Sequence, residues 1–534
     1  MKLPKHEVNL FRIPKYSEIF NEQPDIDFLV STIQRWNKEN AVRTLSYLAF
    51  AVAPLGRLRV NLGPGIPLLQ ALQHVEAQRY RRNQYAQLIT RRQVAQLIKL
   101  VLMFANGEEP GDNVRDIVKC CLTIYELTDP WSSARGDLWK RLSLAPNIEQ
   151  STGFDFRYAA WRAYRLYLMP ALSKGARPEY IRILERTLDI PLHEFISLFF
   201  RTDLAFTQAE FTPVFPNMLT SGPISDKVVE RFLALTCVHI SEFADNVPFS
   251  NDVINNLNDL SCFQTKPLIR MSNGQICCPW FIGLRDEVVD NLYWLARHLI
   301  PSPEETEFTK LLGMAFEDYI LTLWQEREGL VVEGEKNVIH SPDVFITMPQ
   351  EGTLIAIECK TSRYAANQYQ RGRHHEAKFV TQDTVISAAK QLAGGLQQFR
   401  NEKYQVNSRR WSDFRVIYPV VCTLTDLHCG HKYWGETNAA INNQNVFAAF
   451  TPTSTPVVKP VRLISAMEME ILRYIPHVPW RILAEWLRVE PNYSFRSFLV
   501  DRRGKFSYER NLVLNRRNIF FQEVSKILGL HIQA

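Results

Sequence analysis

The chain has no apolar run long enough to cross a bilayer. Its longest, such as residues 100–105 (Leu-Val-Leu-Met-Phe-Ala), fall far short of the ~20 residues a membrane helix needs. Residues 1–20 carry charges throughout and lack an apolar centre, so no secretory leader is expected and the location implied is cytoplasmic. There is no G-x-x-x-x-G-K-[ST] loop, which excludes a nucleotide-driven motor of that kind, and no G-x-S-x-G nucleophile elbow. Internal repeats and low-complexity tracts are missing too. Neither sign of charge dominates: 62 Lys and Arg against 56 Asp and Glu leave +6, which permits nucleic-acid binding without arguing for it. The nine cysteines are scattered and odd in number, and several sit in apolar runs, so they read as reduced thiols rather than a disulfide framework.

At 534 residues the chain should hold roughly three or four domains. Residues 1–265 read as mainly helical, with helix-period apolar stripes at 32–52, 68–105, 114–127, 156–172, 177–201 and 228–243. Residues 266–302 read as a connector: a β-hairpin turning at Asn273-Gly274, then a helix over 284–299. Residues 303–440 alternate helix and strand patterns. A Thr/Ser/Pro linker opens residues 451–534, where helices are expected at 466–473, 479–487 and 518–528.

The chemistry concentrates in residues 341–363, SPDVFITMPQEGTLIAIECKTSR. Residues 353–360 alternate like a half-buried strand, which puts Glu358 and Lys360 on one face and Ile355, Ile357 and Cys359 on the other. Residues 344–348 read as the neighbouring strand and 349–352 as the turn between them. Folding that hairpin brings Asp343 opposite Glu358, so two carboxylates and one ammonium meet at one end of a sheet. Close carboxylates repel unless a cation lies between them, and hard oxygen donors suit Mg²⁺ or Mn²⁺.

Pro342-Asp343 and Glu358-Cys359-Lys360, with this spacing and these strands, resemble the PD-(D/E)xK nuclease superfamily. The resemblance spans residues 303 to about 426 and implies a restriction-endonuclease-like α-β-β-β-α-β core, with the flanks read accordingly: a helix over 303–328, a first strand over 330–339, a helix over 383–399 and a buried strand over 414–424. The fold class expected is therefore multidomain α plus α/β, with a large helical N-terminal region, that core and a small helical C-terminal region. The resemblance also implies roles. Asp343 and Glu358 would hold the divalent metal with the main chain of Cys359, and Lys360 would be catalytic. Residues 313–317 (Gly-Met-Ala-Phe-Glu) look like a helical stretch of many members whose acid reaches the metal, which makes Glu317 a candidate; the other reading is a solvated helix face. Gln391, or Gln398, is a possible accessory residue, although Gly394-Gly395 weakens that helix. The implied activity is Mg²⁺-dependent phosphodiester hydrolysis, foremost by a DNA endonuclease in bacterial defence, with DNA and other defence subunits as partners. An RNase with the same site, or a non-cleaving binding subunit on the same fold, stays open.

Other features carry two readings each. Arg363, Arg371, Arg373 and Lys378 lie in a basic stretch beside the motif and suit a phosphate backbone, or a solvated loop. Six basic residues over 79–99, and seven basic residues against two acids over 496–517 among aromatics, suit nucleic acid, or a helix face and an interdomain surface. Cys422, His428, Cys429 and His431 have ligand chemistry for zinc but match no standard spacing. Cys120-Cys121 and Cys277-Cys278 read as buried apolar residues.

Overall fold

A computed structural model describes residues 25–51, 89, 91–128, 156–209, 212–220, 222–246, 260, 262–263, 266–280, 284, 292–325, 329–361, 374–424, 431–450, 455–475, 479–489, 498 and 510–530. The described residues form a mixed α and β structure with two sheets.

The helices before residue 265 are divided between two hydrophobic clusters. Helices Ile26–Gln34, Lys38–Ala51, Arg91–Phe104 and Val114–Thr128 bury Leu29, Leu45, Val101 and Cys121 together. Helices Phe156–Ala163, Glu179–Leu188, Leu192–Gln208 and Asp226–Thr236 instead share a core with the larger sheet. Between the clusters lies a small sheet of β1 (Cys237–His239), β2 (Leu268–Arg270) and β3 (Ile276–Cys277). Its alternation serves both: Leu268 and Ile276 enter one cluster, Ile269 and Cys277 the other. The Asn273-Gly274 turn forms as expected, with Gly274 at φ +84°.

Three expected helices are interrupted. The one over 32–52 breaks where Trp36 bridges to Glu109 and Asn37 caps Asn40 N–H at 3.1 Å. The one over 177–201 breaks at Asp189, left-handed at φ 56°, and Pro191. The one over 228–243 ends at Thr236, and Cys237–His239 pairs in parallel with β2. In that last case, strand pairing outweighs helical periodicity.

The larger sheet follows the helix Ser302–Gln325. Its strands are β4 (Val331–Gly334), β5 (Val344–Met348), β6 (Thr353–Lys360) and, after the helix His374–Arg400, β7 (Val416–Thr423). β4, β5 and β6 are antiparallel neighbours, and β7 is parallel to β6. The C-terminal region, expected to be helical, also adds two short strands along β7: β8 (Val457–Val458) at its start and β9 (Arg462–Ser465) at its end. β6 is buried on both faces rather than half-buried. Ile355, Ile357 and Cys359 pack with the helix Ser302–Gln325, while Leu354 and Ala356 pack under the helix His374–Arg400.

Helices Ala466–Arg473, Pro479–Arg488 and Arg510–Ile527 join the same core through Met469, Leu472, Trp486 and Phe520. A buried polar knot ties three helices and the end of β7. Tyr319 Oη donates to Glu470 Oε1 at 2.8 Å, Arg162 lies 3.5 Å from the same carboxylate, and Arg162 also donates to Leu424 O at 3.2 Å. Leaving any one of these groups buried and unpaired costs stability, so the knot fixes how the helices meet.

Gly395 resolves the Gly394-Gly395 pair. A Cβ on Gly395 would lie 2.1 Å from His340 O and 2.6 Å from Pro342 Cδ, whereas one on Gly394 would meet only the His340 ring, at 3.6 Å and beyond. The helix therefore touches the backbone leading into Asp343. Gly395→Ala is expected to cost about 1–3 kcal/mol and to displace that segment. Gly394→Ala is expected to be neutral or slightly stabilising, because it removes backbone freedom from the unfolded chain. Denaturant titration of both variants checks this; equal effects would contradict the contact.

Candidate active site

The last paired rung of β5 and β6, Val344 with Ile357, sets Asp343 across from Glu358. Asp343 Oδ2 accepts the Cys359 N–H at 2.6 Å, which pins the carboxylate to the β6 backbone. Glu358 is buried; its Oε1 accepts from Lys360 Nζ at 2.7 Å, and its Oε2 is buried with no hydrogen-bond partner. Lys360 is half-buried beside it. Cys359 turns the other way, into the core, where its register partner on β7 is Cys422. Both thiols are pushed up by burial.

Glu317 comes from the helix Ser302–Gln325. It is half-buried, while Asp318, one position on, is exposed and lines a separate cavity. Electrostatics place Glu317 with the others. Burial, then the charges of Asp343 and Glu335, push its carboxyl up to about 7, against the pull of Lys360. Burial and the Asp343 charge push Glu358 up to about 8, with Lys360 opposing. Burial raises Asp343 to about 6 despite the Cys359 N–H and Lys360. Three carboxylates thus share one ammonium in a partly dry site.

Two residues belong to this neighbourhood that the sequence reading missed. Glu335, exposed just after β4, adds negative charge toward Asp343 and Glu317; its only signal was a second acid near Glu333 at a strand end. Thr423 ends β7 in register with Lys360, and its hydroxyl is buried without a partner. Gln391 lies on the helix His374–Arg400 with its Oε1 buried and unpartnered. Among the described residues, no hydrogen bond joins Gln391 to the three carboxylates.

Arg363, Arg371 and Arg373 lie outside the described residues. Lys378 is on the helix His374–Arg400, and its side chain is outside them. In the basic stretch over 79–99, residues 79–88 lie outside; Lys99 is buried rather than on an outer face. In that over 496–517, Arg516 is buried over Trp161 and beside Tyr474, an interdomain contact rather than a free cation. His428 and Cys429 of the Cys/His group are outside the description. Cys422 is a buried core thiol, as are Cys120, Cys121, Cys277 and Cys278.

Among the described residues no group of three His, Cys, Asp and Glu side chains is arranged to hold a metal ion, and none of the helices is long and apolar enough to cross a membrane. The set around Asp343 consists of two opposed carboxylates, the Cys359 main chain and the Glu317 carboxylate, coupled to both by charge. Its donor chemistry fits a hard divalent cation: all are oxygens, one is orphaned, and the Asp343 charge raises the proton affinity of both Glu317 and Glu358. Comparison with family models, with curated proteins and with solved structures finds no match.

Proposed function

We propose that this chain is a metal-dependent nuclease on a restriction-endonuclease-like core, with DNA as its substrate and defence against foreign DNA as its setting. The observation that carries the reading is the meeting of Glu317, Asp343 and Glu358 around Lys360, each carboxyl pushed up mainly by burial and by its acidic neighbours. The helix, three strands, helix and strand that hold them support it. Asp343, Glu358 and the Cys359 carbonyl are the residues that would hold Mg²⁺ or Mn²⁺. Such an ion polarises a phosphoryl oxygen and acidifies a bound water. Lys360, if freed from Glu358 Oε1, would orient the attacking water and stabilise charge on the phosphorus oxygens. Glu317 would serve as an outer carboxylate, orienting water around the pair.

The direct test is to incubate the purified protein with duplex DNA, single-stranded DNA and RNA, with Mg²⁺ or EDTA. Mg²⁺-dependent cutting of DNA is expected, and Asp343→Ala should abolish it. Cutting of RNA alone would reassign the substrate, and binding without cutting would favour a non-cleaving subunit.

Metal binding should be linked to protons. Groups held up at about 6, 7 and 8 keep protons that a cation must displace. Mg²⁺ affinity should therefore rise from pH 6 to pH 8 and then level, with protons released on binding. Calorimetry in two buffers of different ionisation enthalpy reads that release. A flat affinity across this range would refute the linkage.

Glu317→Gln is expected to lower the cleavage rate by about 10- to 100-fold and weaken its metal dependence without unfolding the helix. Asp318→Asn, exposed on the next position, should leave the rate unchanged. The reverse pattern would show that the helix presents a different face to the site.

A further inference from the structure

Resting on the nuclease reading above, we propose that Thr423 is a positioning residue for Lys360: its hydroxyl receives the ammonium when that group leaves Glu358 Oε1. Thr423 is fully buried at the end of β7, and its Oγ1 has no hydrogen-bond partner. The strand before it, Val-Ile-Tyr-Pro-Val-Val-Cys, is buried from Ile417 onward. A buried hydroxyl without a partner costs stability, and valine has nearly the same shape without that cost. Folding alone gives no reason for a hydroxyl at this position.

The register of the sheet brings it to Lys360. β6 and β7 are parallel, with Cys422 level with Cys359 and Thr423 level with Lys360. Cys359 and Cys422 both enter the core shared with the helix Ser302–Gln325, so the next pair along, Lys360 and Thr423, faces the other way, on the side of Glu358. Leu424 N donates to Lys360 O at 2.9 Å, which carries the ladder past Thr423 and holds the two residues side by side. Neighbouring strands lie about 4.8 Å apart, within reach of the flexible four-carbon stem of a lysine. On the far side of β7, Ser465 is also level with Thr423, but its hydroxyl donates to Glu468 Oε2 at 3.0 Å and accepts from Glu468 N at 3.3 Å. Of the two side chains level with Thr423, that of Lys360 is the one with donors to spare: an ammonium has three N–H groups, and one is given to Glu358 Oε1 at 2.7 Å. A cation on the Glu358 carboxylate competes for that oxygen. The displaced ammonium then needs a fixed acceptor that leaves its charge intact, and a neutral hydroxyl on the adjacent strand supplies one.

Two cycles of variants of the full chain test this, the first without any activity. In EDTA, Thr423→Val should raise the wild-type melting temperature by about 1–2 °C, because the hydroxyl it removes has no partner. In Glu358→Ala the ammonium has lost its carboxylate and moves to Thr423, so Thr423→Val should lower the melting temperature there by a similar amount; Glu358→Leu takes the place of Glu358→Ala if the latter does not fold. In the second cycle, with Mg²⁺ and duplex DNA, Thr423→Val should lower kcat about tenfold with KM and Mg²⁺ affinity unchanged. Thr423→Ser should stay within about twofold of wild type, and Thr423→Val should add no loss to Lys360→Ala. The same sign of melting shift in both backgrounds, equal losses from Thr423→Ser and Thr423→Val, or a further tenfold loss on top of Lys360→Ala would each overturn the role given to Thr423. The two readings fail separately. A protein that shows the reversal of sign but cuts nothing keeps the Lys360–Thr423 contact and loses the nuclease; one that cuts with no coupling between Thr423 and Lys360 loses only the contact.

Discussion

Glu358→Gln is expected to reduce metal-dependent cleavage by at least about 100-fold and, at the same time, to stabilise the metal-free protein at pH 8. Both effects come from one buried carboxyl. Its affinity for protons is raised from 4.5 to about 8 by burial and by the Asp343 charge. A carboxyl whose folded pKa lies above its unfolded value contributes stability that is complete below about 4.5 and is lost as the pH rises toward 8. Gln has no proton to lose. With EDTA present, the melting temperatures of variant and wild type should nearly coincide at pH 4.5 and diverge by about 2–4 °C at pH 8, the variant higher. Mg²⁺ should raise the wild-type melting temperature and leave the variant's unmoved. A variant less stable than wild type at pH 8 would mean that the Lys360 contact outweighs burial.

Lys360→Ala is expected to lower turnover by about 100-fold or more, as for loss of one transition-state contact. The ammonium donates to Glu358 Oε1 at 2.7 Å and competes with any cation for that oxygen. Mg²⁺ affinity at pH 8 should therefore be kept or increased in the variant. A collapse of Mg²⁺ affinity together with activity would make Lys360 an organiser of the site rather than a catalytic group.

What the sequence determined was local. The strand Thr353–Lys360 follows from period-two alternation, and Val344–Met348 is read as its neighbour across a turn that ends at Gly352; their register alone places Asp343 opposite Glu358. Helical periodicity likewise set Glu317 and Asp318 about 100° apart on the helix. Local pattern did not show what covers each face. β6 reads as half-buried because Glu358 and Lys360 are polar, yet both faces are covered, and that burial is what raises the carboxyls. The collision awaiting a side chain at Gly395 and the unpartnered hydroxyl of Thr423 arise between segments far apart in the chain, whereas the contribution of Glu335 comes from the loop just before Asp343 and shows only once that loop is folded. The same holds for the end of the expected helix at Thr236, where the edge of β2 captured Cys237–His239, and for the burial of Arg516 against Trp161. Alternation and helical period record which residues share a face. Burial, and with it charge state, depends on which distant segment packs on that face, and only the tertiary structure decides that.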